Sequence, residues 1–214
     1  MGTFPDVCAA ERGEVSDESP WLVVGLGNPG REYAGHRHNV GFLVADLLAA
    51  RVGAKFGRSK RSHADVAEGR LAGSSGFGGG PKLVLVKPLT FMNLSGAPVA
   101  SLAQFFKVPV TNVIAVHDEL DVPFGQVRAK RGGGEGGHNG LRSMSKSLST
   151  KEYARVRFGI GRPPGRQDPA DYVLSNFAAA ERKELEFLVD RAADVVEAIV
   201  HEGVEWAQNK YHGG

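Results

Sequence analysis

The sequence predicts an α/β fold: one domain built on a twisted, mostly parallel (mixed) sheet flanked by helices on both faces. Short apolar segments that end in turn residues alternate with longer segments of helical period, the pattern of a sheet covered on both sides. The chain has 214 residues, which suits one sizeable core. No linker-like stretch interrupts residues 21–214, so these are read as a single domain behind a disordered, acidic extension over 1–20.

The elements follow in order. Trp21 to Gly25 is a short apolar run suited to a buried strand, ended by turn residues at Gly27-Asn-Pro-Gly30. From Asn39 to about Val52, Val40, Phe42, Leu43, Leu47 and Leu48 recur near helical period. His63 to Leu71 and Lys82 to Val86 are expected strands, joined through the Gly/Ser tract 73–80. Ser95 to Phe106 reads as a helix that stops before Pro109. Asn112 to Val116 is a strand aimed at His117-Asp118-Glu119, and Gln126 to Lys130 is another. A glycine loop over Gly132–Gly137 leads into a helix over 139–149, followed by a strand from Arg155 to Ile160 and a polar loop over 162–169. Residues 179–211 form a long amphipathic helical region with a candidate break at Gly203.

Composition excludes several classes. The single cysteine, Cys8, leaves no intramolecular disulfide and no multi-cysteine zinc site, and fits a reducing cytoplasm. No apolar run approaches the roughly 18 to 20 residues that span a bilayer, and no signal-peptide pattern opens the chain. Formal net charge is +2 but uneven, because residues 1–20 hold five acids and one base. Basic groups gather at Arg51, Lys55, Arg58, Lys60 and Arg61, at Arg128, Lys130 and Arg131, and at Arg155, Arg157, Arg162 and Arg166. Such clusters suit a polyanionic partner, although each also suits an ordinary solvated surface.

In open α/β sheets the binding crevice lies beyond the carboxyl ends of strands, where Asn28, Asn93 and His117-Asp118 are expected. Gly25-x-Gly27-x-x-Gly30 has the spacing of a dinucleotide loop. Pro29 removes a needed N–H, however, and Asp46 falls in a helix instead of at a strand end. His36 and His38 could form a metal pair, cap a helix or transfer protons. The carboxylates Asp118, Glu119 and Asp121 allow paired acid/base work, or an aspartate that orients a histidine, and Asp118 with His38 fits the second use. Asn93 stands just before a helix, as a substrate amide or a cap. The glycines before His138-Asn139 leave backbone N–H groups open to ligand oxygens. No nucleophile elbow or Walker A pattern is present, so the residues suggest a metal-free site in which histidine activates water.

Six segments, Val24–Gly30, Arg37–Gly41, Pro88–Gly96, His117–Asp121, Gly132–Leu141 and Val156–Gly161, together resemble the bacterial-type peptidyl-tRNA hydrolase family. They occur in the family's order, and the resemblance covers about residues 21–212. It implies hydrolysis of the ester between a peptide and the 3′-terminal ribose of tRNA, which recycles tRNA, by a monomeric cytoplasmic enzyme without metal or cofactor. It places the catalytic histidine on His38, its partner on Asp118, and substrate-binding asparagines on Asn28, Asn93 and Asn139. Tyr33, Met92 and His138 become further substrate contacts, His138 in a mobile gate. Lys130 and Arg157 become phosphate clamps, with Arg166 a further base in the following loop. The chain departs from the family at His36, where threonine is common, at Glu135 within the glycine loop, and in its acidic lead-in.

Overall fold

The computed structural model describes residues 19–73 and 79–212. The disordered segment expected over 1–20, with Cys8, lies outside the described residues except for its last two, as does most of the Gly/Ser tract.

Strand β1 (Trp21–Gly25) is the spine of the sheet. Leu22 and Val24 point into the core on one face and Val23 into the core on the other, which is why every second residue cannot be polar here. A 3-10 turn over 37–39 enters helix α1 (Val40–Arg51). Then come β2 (Gly57–Arg58), β3 (Ala64–Ala72) and β4 (Gly79–Pro88), and α2 (Gly96–Phe105) returns the chain to β5 (Val113–Glu119). After β6 (Val127–Arg131) come α3 (Asn139–Ser147), β7 (Ala154–Gly159) and α4 (Pro169–Val173). Helices α5 (Ala179–Glu202) and α6 (Val204–Tyr211) end the fold.

The seven strands lie in the order β2-β3-β4-β1-β5-β7-β6. The central four are parallel, and both edges are antiparallel. Helices α1, α5 and α6 cover one face and α2 and α3 the other, giving the mixed sheet covered on both sides that the sequence predicts.

One close approach positions the chemistry. A Cβ on Gly41 would lie 2.4 Å from the carbonyl oxygen of Val116, and one on Gly25 would lie 2.3 Å from the carbonyl oxygen of Gly41. Only glycine lets the start of α1 rest directly on the β1 and β5 backbones. That seating carries His38, three residues before Gly41, to the carboxyl end of β5.

The boundaries differ from expectation in physical ways. Strand β5 runs on past Val116 because His117 and Asp118 pair with Arg157 and Phe158 of β7. His117 and Asp118 therefore lie in rigid strand and not in the loop after it. Strand β2 is too short to carry a period of its own. Helix α4 is a single capped turn, in which the Asp168 carboxylate accepts from the Ala170 amide at 2.8 Å and Pro169 pre-sets the first residue. The C-terminal helical region breaks at Gly203, whose φ of 89° ends α5 as the sequence suggests.

Candidate active site

An open cleft of about 1060 Å³ lies above the carboxyl ends of β1 and β5, between the 3-10 turn over 92–94, helix α3 and the loop before α4. Asn28, His38, Met92, Asn93, Asp118, His138 and Asn139 all face it. Residues far apart in sequence thus meet in one place.

The centre is a carboxylate shared by two imidazoles. His38 Nδ1 lies 2.8 Å from Asp118 Oδ1, and His138 Nε2 lies 3.1 Å from the same oxygen. Both histidines and Asp118 are almost fully removed from solvent. Burial alone would raise the Asp118 carboxyl, but His38 and the His138 hydrogen bond outweigh it and hold it well below the usual carboxylate range. It is therefore an anion that accepts from both rings.

The tautomers follow. His38 donates through Nδ1, which leaves the Nε2 lone pair for the cleft. His138 caps α3, and its Nδ1 accepts from the amides of Gly140 at 3.1 Å and Leu141 at 3.3 Å. The proton of neutral His138 therefore sits on Nε2 and is donated to Asp118. The two rings stand 4.8 Å apart, centroid to centroid.

Ligand atoms of His38, Asp118 and His138 lie within 4.8 Å of one another, close enough to share a metal ion. The donor chemistry fits such an ion poorly. Coordination through His138 Nε2 would move its proton to Nδ1, against two backbone N–H groups already aimed there. His36, the other half of the metal pair that the sequence leaves open as an alternative, is not part of this cluster. The His36 ring packs edge-on against Tyr33, and its backbone bridges to Asn176.

Neighbouring polar groups hold this centre in place. The Asn39 side chain donates to the Asn28 carbonyl at 2.8 Å and accepts from the Asn28 amide at 3.0 Å, fixing the turn after β1 to the histidine turn. Asn28 Oδ1 in turn accepts from the Met92 amide at 2.8 Å, so its Nδ2 is the end left for a ligand. Asn93 is exposed and lines the same cleft as His38 and His138. Buried Arg37 grips the far side. It donates to the Ser175 hydroxyl at 2.8 Å, pairs with Glu181 at 2.6 Å, and lies over the Tyr172 ring at 4.2 Å. Asn39 and Arg37 carried no sequence signal of their own beyond adjacency to His38.

The glycine loop owes its composition to backbone geometry. Gly132, Gly133, Gly136 and Gly137 all have positive φ, between 56° and 87°. Arg155, 2% exposed, holds it from below by donating to the carbonyls of Gly134 at 2.5 Å and Gly133 at 2.9 Å. This corrects the reading of Arg155 as part of a surface cluster: it is a buried brace. Glu135 is paired with Lys151 at 3.1 Å and brings no free charge to the cleft.

Other expectations are also refined by position. Arg51 binds Asp190, Asp194 and Glu197 of α5, so it ties two helices together and is not free for a polyanion. Tyr33 does not line the cleft; it stands behind Phe91, edge-on at 6.4 Å. Arg162, paired with Asp121, faces the cleft from the loop before α4, and Arg166 does not. Lys130 is exposed beside the glycine loop, and Arg157 pairs with Glu119 at 3.0 Å. Alternation along β6 and β7 puts Arg128, Lys130 and Arg157 on one face of that sheet edge.

His117 is buried and donates through Nδ1 to the Asp118 carbonyl at 2.7 Å, while its Nε2 has no partner among the described residues. Burial, and then the neighbouring His138, push it down to about 3. The unfolded chain takes up this proton near 6.5 and the fold does not. Stability from His117 is thus fully present above about pH 6.5 and lost as pH falls toward 3. Denaturant unfolding at a series of pH values should show the loss beginning near pH 6.5, up to roughly 5 kcal/mol in all. The substitution His117→Gln should flatten that acid slope by about one proton; an unchanged slope would rule out this assignment.

Comparison with known proteins adds to the geometry. The family described as peptidyl-tRNA hydrolase matches residues 22–214. A peptidyl-tRNA hydrolase of Nocardia farcinica is 63% identical over 193 residues, 90% of this chain and 96% of that protein. One from Frankia alni is 60% identical over 197 residues, 92% of this chain and 96% of that protein. A crystal structure of peptidyl-tRNA hydrolase from Acinetobacter baumannii superposes with a TM-score of 0.82 at 34% identity, covering 92% of this chain and 97% of that one.

Proposed function

Because this chain belongs to the peptidyl-tRNA hydrolase family, we propose that its cleft hydrolyses the ester joining a peptide to the 3′-terminal ribose of tRNA, with His38 as the base that activates water. The observation that carries the assignment is the His38–Asp118 bond, which leaves His38 Nε2 as the unprotonated ring nitrogen facing the cleft.

In this reaction His38 Nε2 takes a proton from water as the water oxygen bonds to the ester carbonyl carbon. Negative charge gathers on the carbonyl oxygen, and the resulting imidazolium is stabilised by Asp118. Collapse breaks the bond to the ribose oxygen, and His38 returns its proton to that oxygen. Free tRNA and a peptide carboxylic acid leave. Asn93 supplies a neutral N–H to the developing oxyanion, an interaction that can be worth about 3 kcal/mol when aimed at such charge. Asn28 Nδ2 and Asn139 hold main-chain and nucleotide groups, and Met92 gives the acceptor end an apolar wall. Amides read backbone and not side chains, so indifference to peptide sequence follows. His138 positions Asp118 and, where the glycine loop runs into α3, belongs to the gate that closes the cleft.

Lys130 and Arg157 hold acceptor-stem phosphates from the edge of the sheet, with Arg162 facing the cleft. The Lys130→Ala change should raise KM about tenfold, leave kcat nearly unchanged, and lower the salt slope of binding by about one. An unchanged slope would exclude a phosphate contact there. Acting on a substrate made in translation, the enzyme works as a monomer in the cytoplasm.

The deciding assay is release of free tRNA from N-acetylated aminoacyl-tRNA, with and without a chelator. Turnover that survives chelation is expected. No turnover by folded protein overturns the activity, and loss only on chelation overturns the proton chemistry assigned to His38.

A further inference from the structure

A second cleft, of about 460 Å³, lies away from the catalytic one, between the β2–β3 hairpin and the end of α2. Lys55, Arg58, Lys60 and Arg61 rim it, and Leu102, Phe105 and Phe106 form its floor. None of the reaction steps above uses any of these residues.

The local chemistry is unusual in two respects. First, charge is in excess. Arg58 meets Asp65 at 3.1 Å, yet its side chain stays 68% exposed, and Glu68 is engaged by Lys82 at 2.7 Å. Lys55 and Lys60 form no ion pair among the described residues. Second, an aromatic ring is left open among these cations. Phe105 is 48% exposed, stands edge-on to Phe106 at 4.9 Å, and carries the Arg61 guanidinium over its face at 4.3 Å. A solvated basic surface does not need an open ring, and an apolar protein interface does not need four cations. Phosphates on a flexible backbone with bases that stack on rings or guanidinium planes satisfy both.

We infer that this cleft binds a single-stranded segment of RNA, its phosphates on Arg58 and Lys60 and a base stacked against Phe105 and Arg61. The sheet order sets it apart from the acceptor-stem contacts. Strand β2 forms one edge and β6 the other, six strand spacings or about 30 Å away. The cleft is therefore a second RNA contact, separate from the one that Lys130 and Arg157 supply.

The test measures binding of a short, unstructured, fluorescently labelled RNA carrying no ester, so that catalysis is not read. Relative to the unaltered chain, Arg58→Glu with Lys60→Glu should weaken binding at least tenfold and reduce the salt slope by about 1.4, near 0.7 per lost cation. Phe105→Ala should weaken binding about tenfold with the slope preserved, because stacking carries no counterions. All three positions are exposed, and hydrolysis of an N-acetylated aminoacyl minihelix by these variants should match the parent, which also certifies folding. Four results would overturn the inference: no RNA binding by the parent, binding lost on Lys130→Ala but kept in the Arg58→Glu/Lys60→Glu and Phe105→Ala variants, an acidic peptide bound more tightly than RNA, or unchanged affinity with increased self-association, which would assign the cations instead to protecting an edge strand from pairing.

Discussion

Asp118→Asn should lower kcat for tRNA release by about ten-thousandfold while changing KM little. The size follows from two imidazoles sharing one oxygen. Asp118 Oδ1 accepts from His38 at 2.8 Å and from His138 at 3.1 Å. If asparagine places its carbonyl oxygen there, both bonds survive but the negative charge that steadies the His38 imidazolium is gone. If it places its NH2 there, the amide donates toward both rings. His38 must then carry its proton on Nε2, the nitrogen that should take one from water. His138 cannot adapt to that amide either, since its Nδ1 already accepts from the start of α3. Either orientation disables the base while leaving the cleft walls intact, so the loss belongs in kcat. A variant within tenfold of the parent, with unchanged circular dichroism, would show that Asp118 does not work through His38.

Much of this arrangement is legible in sequence, for identifiable reasons. Trp21–Gly25 announces itself because a strand buried on both faces has to be apolar throughout. Gly203 marks the end of α5 because its backbone takes a conformation that L side chains avoid. Asp118 could be paired with His38 because an aspartate at a strand end is a recurring way to orient an imidazole. What stayed hidden is direction. Arg51, Arg155 and Arg157 look alike in a list of basic residues. Yet Arg51 turns toward the α5 acids, Arg155 is buried under the glycine loop, and Arg157 pairs with Glu119 at the β6–β7 edge. Arg155 and Arg157 share one face of β7, so what separates them is what meets that face, the glycine-loop carbonyls or Glu119, brought there from segments far away in sequence. The same limit applies to His138. The sequence places it before a helix, but only the fold brings its Nε2 to the same Asp118 oxygen that His38 meets.

His38→Ala should reduce kcat by about a hundred- to ten-thousandfold, the range for loss of a positioned general base. A further readout separates this from a merely structural loss: free imidazole should restore part of the rate, because removal of the side chain leaves an imidazole-sized space that opens to a cleft of about 1060 Å³. The restored rate should increase with the fraction of added imidazole that is neutral. Folding is a fair concern, since the variant leaves a buried carboxylate with one partner where it had two, at a cost of about 1–3 kcal/mol. His38→Asn addresses it by keeping a donor toward Asp118 while offering no base to the cleft, so it should be as inactive as alanine yet more stable. Rescue of alanine by imidazole, with asparagine inactive and insensitive to it, is the pattern that a proton-transfer role for His38 requires. Full activity in the asparagine variant would instead mean that water is activated by another group in the cleft.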